Sequence, residues 1–325
     1  MIKTFKSLVP ALLALIITTS SCAQRKPSTQ QNISLLIATV QNNLKQQYFN
    51  REKGIFLAEK LAEMQQNKAF EGLTADSAAK TITAMLRKET NDKHFNIIAY
   101  NIVPAPKAEK VAAQPPFTAG ITTVKVLKNN IGYIKWDACI AGEAAYKKLR
   151  NTLDAVAGCK QIIFDITENP GGDGASSAFI NQFFYGSKDY QTLLIKKCTG
   201  ENNWHQSEVI FDYTEGPKFF DTPLYIITSD KTFSAAEYFA FTAKEMKRAT
   251  ILGKTTGGGG NPGLWSAFSL ANSDTYFWMF IPNCQITTRD GHSLEGVGVK
   301  PDVELVSNNW LAETVAYIEK QKGAQ

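Results

Sequence analysis

The chain has 325 residues, of which 44% are hydrophobic, 20% charged and 11% aromatic. That composition belongs to a globular protein and excludes a disordered or fibrous one. The net charge of +5, from 35 basic and 30 acidic residues, is small and scattered, so no nucleic-acid partner is expected.

A short basic opening, Met1-Ile2-Lys3-Thr4-Phe5-Lys6, leads into an apolar run from Leu8 to Ile17 and then the small residues Thr18 to Ala23. This is the layout of a secretory signal over residues 1–23. The apolar run is about half the roughly 20 residues that a membrane-spanning helix needs. Ser20-Ser21-Cys22 resembles a bacterial lipoprotein cleavage box, with Cys22 as the lipidated residue, although Thr19 stands where a large aliphatic residue is usual. Cleavage after Ala23 is the alternative. Residues 24–32 are polar and read as a tether. The expectation is export to the bacterial cell envelope, in the periplasm or as an outer-membrane lipoprotein. Membrane contact would then come only through the lipid. Cys139, Cys159, Cys198 and Cys284 are too widely spaced for a zinc ribbon. They are expected to be buried thiols or to form at most one bridge, and the sequence selects no pairing.

Residues 33–100 read as a helical domain. Apolar residues recur at helical spacing in Ile33, Leu36, Ile37, Val40 and Leu44, and again in Ile55, Leu57, Leu61 and Met64. Thr74 to Ser77 forms a start signal before Ala78, Ile82, Met85 and Leu86. The proline-rich stretch 101–120 reads as a linker. Beyond it, strands and helices alternate. Ile131 to Trp136, Gln161 to Ile166, Leu224 to Thr228 and Ala249 to Leu252 are strand candidates, and Ala144 to Val156, Ala175 to Phe184 and Ala235 to Lys247 are helix candidates. Tyr276 to Ile281 lies in a β-rich C-terminal third, and residues 309–325 form a helix or tail. Alternation over residues 121–308 argues for an α/β core with a partly parallel sheet.

In such sheets the chemistry gathers beyond the carboxyl ends of the strands. Two strand-to-helix turns there carry unusual residues. Asn169-Pro170-Gly171-Gly172-Asp173-Gly174 could bring backbone N–H groups close to an anion or an oxyanion, or be a plain tight turn. Ser234, at a helix start, is a candidate N-cap or a nucleophile with the Ala235 amide aimed at developing charge. A serine nucleophile needs a base, and there are only three histidines: His94, His205 and His292. Glu295 could orient an imidazole. Rival motifs fail. The first glycine of a phosphate loop ending Gly253-Lys254-Thr255 would fall on Arg248, Ser234 lacks the flanking glycines of a G-x-S-x-G elbow, and no helix follows Gly257 to Gly260.

The ordered segments IGYIKW (131–136), IIFDITENPGGDG (162–174), PLYIITSDKTFSAAEYFA (223–240), ATILGKTTGGGGNPG (249–263) and LEGVGVKPDVEL (294–305) resemble the S41 peptidases, the tail-specific and tricorn-type serine proteases. Residues 47–96, ending within NDKHFNI (91–97), are similar to the interphotoreceptor retinoid-binding protein branch. The resemblance implies a crotonase-like β/α core with an N-terminal helical bundle, and peptide or protein substrates without a cofactor or metal. It implies Ser234 as nucleophile, His94 as base, Glu295 as its partner, and oxyanion donors at Ala235 and within Gly171-Gly172. His292 is the second candidate base, being close in sequence to Glu295. The tail-specific branch places a catalytic lysine in the glycine-rich loop. This loop has none, and Lys254 precedes it. Lys93 replaces the serine that tricorn-type sites carry before the histidine. About 30 residues separate Asn101 from Ile131, too few for a PDZ module. The rival from another class is an inactive relative that binds a lipophilic ligand or a peptide, with Phe95, Trp136, Trp265, Phe277 and Trp278 as candidate lining. Oligomeric state is not legible.

Overall fold

The computed structural model describes residues 29–101, 117–207, 209–213, 215–269 and 275–322. The signal, Cys22, most of the tether and most of the linker lie outside the described residues. In chain order the elements are α1 (Thr29–Gln47), α2 (Arg51–Gln66), α3 (Ala75–Thr90), β1 (Asn96–Asn101), β2 (Ile121–Leu127), β3 (Ile131–Trp136), α4 (Glu143–Asp154), β4 (Gln161–Asp165), α5 (Ala175–Asn181) and α6 (Asp189–Leu193). They continue with β5 (Leu194–Cys198), β6 (His205–Gln206), β7 (Leu224–Thr228), α7 (Ala235–Glu245), β8 (Ala249–Gly253), β9 (Gly263–Ser269), β10 (Thr275–Pro282), β11 (Cys284–Thr288), β12 (Val303–Glu304) and α8 (Trp310–Lys322).

The main sheet has the order β12-β8-β7-β4-β3-β2. Its five strands from β12 to β3 pair in parallel, and β2 closes the edge antiparallel to β3. β4 is buried at every position, as a strand covered on both faces must be. One cover is the core of α4, α5 and α7, with Leu149, Phe179, Phe239, Trp136 and Phe164 among its members. The other is a smaller cluster in which Ile163, Ile227 and Leu252 meet Ile318 of α8.

The N-terminal helices are less separate than their sequence pattern predicts. The first helix begins at Thr29, inside the stretch that reads as a tether. The last residues of the expected helical domain form β1, which pairs with β10 from the C-terminal third in a sheet of order β1-β10-β9. Phe277, Met279 and Ile281 of β10 then pack into the same core as Leu36, Leu57, Ile82 and Phe95. Removing such side chains from water stabilises by roughly 1.5–3 kcal/mol each. The strand pairing and this burial clamp the helical layer to the C-terminal β-rich third. Helical periodicity could not announce it, because the partners lie about 180 residues away.

A third, small sheet joins β11, β5 and β6. Cys198 and Cys284 stand opposite one another in it and form a disulfide. Cys139 and Cys159 are buried free thiols, so one bridge is made among the described residues. Alkylation of unfolded protein is expected to reach two more cysteines after reduction than before. The double substitution Cys198→Ala/Cys284→Ala should cost about 2–4 kcal/mol in urea denaturation. Equal thiol counts with and without reductant would disprove the pairing.

Candidate active site

Ser234 sits between the loop after β7 and the first turn of α7, with φ 53° and ψ −123°. For a residue with a β-carbon this conformation costs roughly 1–3 kcal/mol and survives only where the surroundings over-determine it. They do so here. Ser234 N–H donates to the Glu237 carboxylate at 2.9 Å, and Phe233 N–H donates to Asn169 O at 3.0 Å. Thr232 Oγ1 donates to Ile166 O at 2.8 Å. The steric room that a nucleophile elbow takes from its own flanking glycines comes from another loop. A β-carbon on Gly171 would lie 2.8 Å from Ser234 Cβ and 2.9 Å from Ala235 N.

The three expected oxyanion donors divide. Gly171 N–H is turned away to Asn169 Oδ1 at 2.9 Å. Gly172 N–H and Ala235 N–H donate to no other described residue. Ala235 is the first residue of its helix, where N–H groups have no partner within the helix. Gly171 therefore brings the loop close, while Gly172 and Ala235 leave amides free.

His94 reaches the site through the end of α3. Asn91 adopts the left-handed conformation, φ 58°, and stops the helix. Asp92 and His94 then turn inward before β1. Asp92 is 1% exposed and His94 is 9% exposed. Asp92 Oδ1 accepts from His94 N–H at 2.9 Å and lies 3.6 Å from His94 Nδ1. Asp92 Oδ2 accepts from Asn261 Nδ2 at 3.0 Å. The His94 ring lies against Phe233, the neighbour of Ser234, with centroids 4.6 Å apart, and stacks on Phe280 at 5.4 Å. Neither ring nitrogen has a hydrogen-bond partner among the described residues, so no hydrogen bond joins His94 to Ser234 Oγ here.

Glu295 meets His94 from the other side. One donor atom each from Asp92, His94 and Glu295 lies within 4.8 Å of the others. A metal ion could use such a set. However, Glu295 Oε2 already accepts from Gly260 N–H at 2.6 Å and Asn261 N–H at 2.8 Å, and both Asp92 oxygens are engaged. Glu295 Oε1 and both ring nitrogens of His94 have no hydrogen-bond partner among the described residues, so two carboxyl groups, each held by donors from elsewhere, flank the imidazole. Burial, and next the Asp92 carboxylate, push the Glu295 carboxyl up to about 8.

The glycine-rich loop binds carboxylates. Gly258 and Gly259 N–H both donate to Glu237 at 2.7 Å, beside Thr256 Oγ1 and Ser234 N–H. The next two amides serve Glu295. A β-carbon on Gly259 would come 2.3 Å from the Phe233 ring and 2.8 Å from His94 Cε1, so only glycine lets the loop pass between them. Lys93 Nζ donates to Gly257 O at 2.7 Å, tying the histidine turn to the same loop. Burial raises the Glu237 carboxyl, against the pull of its four donors.

The other candidates are placed elsewhere. His292 is exposed and pairs with Glu245 at 3.1 Å. Glu245 is the last residue of α7, roughly 16 Å along the helix axis from Ser234. His205 is exposed beside Glu201. Lys254 Nζ lies 5.8 Å from the Trp310 ring and lines an open cavity of 1030 Å³ with Asp165 and Asp230, which includes none of Ser234, His94 or Glu295. The parts played by Asp92, Glu237 and Asn169 in the site escaped sequence reasoning, although Asn169 lies in a turn it singled out. Serine followed three residues later by glutamate is a helix-start signature and could have flagged Glu237. Nothing local marks the other two.

Residues 130–305 match the model of peptidase family S41. The chain belongs to this family. The matched span holds Gly172, Ser234, Ala235 and Glu295 but not His94. A CtpA-like serine protease of Staphylococcus haemolyticus is 25% identical over 199 residues, which are 59% of this chain and 37% of that protein. The chain thus spans a little over a third of that relative. A structure from Parabacteroides merdae described as a peptidase aligns with TM-score 0.57 at 18% identity, covering 89% of this chain and 93% of the other. The tricorn protease aligns with TM-score 0.58 at 13% identity, covering 91% of this chain and 37% of the other. The photosystem II D1 C-terminal processing protease aligns with TM-score 0.50 at 14% identity, covering 84% and 93%. At these identities the likenesses establish the fold: the α/β core of S41 peptidases with N-terminal helices.

Two expectations follow. In Glu237→Ala, Ser234 N–H, Thr256 Oγ1 and the Gly258 and Gly259 amides would face a methyl group. Chemical denaturation should show a loss of more than about 3 kcal/mol, and wild-type stability would refute the clamp role. The second concerns pH. Glu295 is protonated in the folded chain between its ordinary 4.5 and about 8, where the unfolded chain has already released the proton. The native state binds more protons there, so this contribution to stability falls as pH rises through that window. Asp92→Asn removes the neighbouring charge, and the free Asn261 Oδ1 can turn to accept from the new amide. Titration of Glu295 by NMR should move to lower pH in Asp92→Asn. An unmoved titration would dismiss the coupling.

Proposed function

We propose that the protein is a serine-type peptidase that hydrolyses peptide bonds through an acyl-enzyme. The observation that carries this reading is the strained Ser234 packed against Gly171, with the amides of Ala235 and Gly172 uncommitted. Ser234 Oγ attacks the peptide carbonyl while His94 takes its proton, and His94 then returns that proton to the leaving amine. The two amides stabilise the tetrahedral oxyanion, at about 3 kcal/mol per donor. Glu295, once ionised above about pH 8, orients the imidazole and stabilises its charged form. Water repeats the sequence on the ester and frees the product. Catalytic hydrogen bonds are often long before substrate binds. The Phe233–His94 contact supports a small approach of the ring rather than a large rearrangement.

Envelope export is part of the proposal. The signal-like opening and Cys22 support it, and so does the disulfide, which suits an oxidising compartment. The carrier alternative finds little support. Trp136 lies in one core, Phe95 and Phe277 in another, and Trp265 and Trp278 at the surface, so the five do not enclose one cavity.

A fluorophosphonate probe should label Ser234 in the wild type and not in Ser234→Ala. His94→Ala should lower peptide turnover by at least about 10⁴-fold. Casein cleavage by Ser234→Ala at the wild-type rate would refute the nucleophile. An unlabelled and inactive wild type would favour the binding protein.

A further inference from the structure

The sheet β1-β10-β9 has two unlike faces. Phe277, Met279 and Ile281 point into the helical core, while the alternate residues Tyr276, Trp278 and Phe280 point out. Register places Asn96 and Trp265 beside Phe280, Ile98 and Ala267 beside Trp278, and Tyr100 and Ser269 beside Tyr276. Directly paired residues share a face. The outer face is therefore a grid of nine side chains without a charge, roughly 10 Å by 14 Å. Ile98, Tyr100, Trp265 and Trp278 are each more than 40% exposed. Four large, largely apolar side chains exposed together on one small face make it a candidate binding surface.

The grid is continuous with the catalytic centre. His94 precedes β1 by two residues and so falls on its outer side. It stacks on Phe280, and Phe280 meets Trp265 at 5.4 Å. Trp265 meets Trp278 at 6.1 Å, Trp278 Nε1 donates to Tyr100 OH, and Tyr100 stacks on Tyr276 at 5.9 Å. Each ring is held by the next, so the surface is preorganised, and large aromatic rings bind at low entropic cost. The end with the base receives the scissile bond, and the rest faces whatever extends from it.

We infer that this aromatic face is the specificity platform of the enzyme, taking large apolar or aromatic side chains of an extended peptide on one side of the scissile bond. The inference rests on the peptidase reading and names its substrate class. An open face suits a peptide with alternate side chains directed onto it, whereas a lipophilic small molecule requires enclosure. The absence of charge excludes selection for acidic or basic segments.

The test uses the full chain and two blocked hexapeptides that differ only at three alternate positions, Phe/Leu/Phe in one and Ser in the other. The wild type should cleave the apolar peptide with at least tenfold higher kcat/KM. That ratio should fall about tenfold in Trp278→Ala and in Trp265→Ala, mainly through KM. An undiminished ratio in both variants would overturn the inference. Binding is read separately by tryptophan fluorescence in Ser234→Ala, where the apolar peptide should bind and the polar one should not. If the wild type cleaves nothing while that binding persists and requires Trp278, the platform stands and the peptidase reading fails. Absence of binding, binding of oleate in place of the peptide, or concentration-dependent dimerisation lost in Trp278→Ala would each refute the platform.

Discussion

Four consecutive backbone amides, from Gly258 to Asn261, donate to the carboxylates of buried Glu237 and half-buried Glu295, and the rest of the site depends on this contact. The first pair holds Glu237, which in turn holds the strained amide of Ser234. The second pair holds Glu295, which lies beside His94. A buried carboxylate without donors is expensive, and so is a buried amide without an acceptor. Each therefore satisfies the other, and the loop cannot shift without exposing the elbow and the acid together. Ser234 and the His94–Glu295 pair are thereby set by one strip of backbone.

Glycine at these positions serves proximity. Gly259 passes between Phe233 and His94, and Gly171 lies against Ser234, where any side chain would collide. The elbow thus borrows its space from two other loops. This explains how serine can hold a positive φ with Thr232 and Ala236 at the positions where related turns carry glycine. The strain is local and its support is distributed over Asn169, Glu237 and Thr256.

The two halves of the molecule meet through β1 pairing with β10. That pairing buries one side of a sheet under the N-terminal helices and leaves the other facing solvent as rings. It also delivers His94, because the residue lies just before β1. The same strand pairing thus fixes His94, joins the layers and presents the aromatic face on the side of His94.

Much of this was legible in the chain. The periodicity of residues 33–92, the apolar strands and the order of the motifs depend on neighbours within about ten residues, and from them follow the helical layer, the α/β core and the loops where chemistry gathers. The sequence could also mark Ser234, the paired glycines and Glu295 as candidates. Which of them meet was decided by tertiary structure. It brought His94 and not His292 to Glu295, added Asp92, turned Gly171 N–H to Asn169, chose Cys198 with Cys284, and made the glycine-rich loop a cradle for carboxylates. The meeting of His94 with Glu295, of Asp92 with Asn261, of Cys198 with Cys284 and of the glycine-rich loop with Glu237 joins groups far apart along the chain. Local pattern carries no information on such distances, because they arise only when strands pair and cores close.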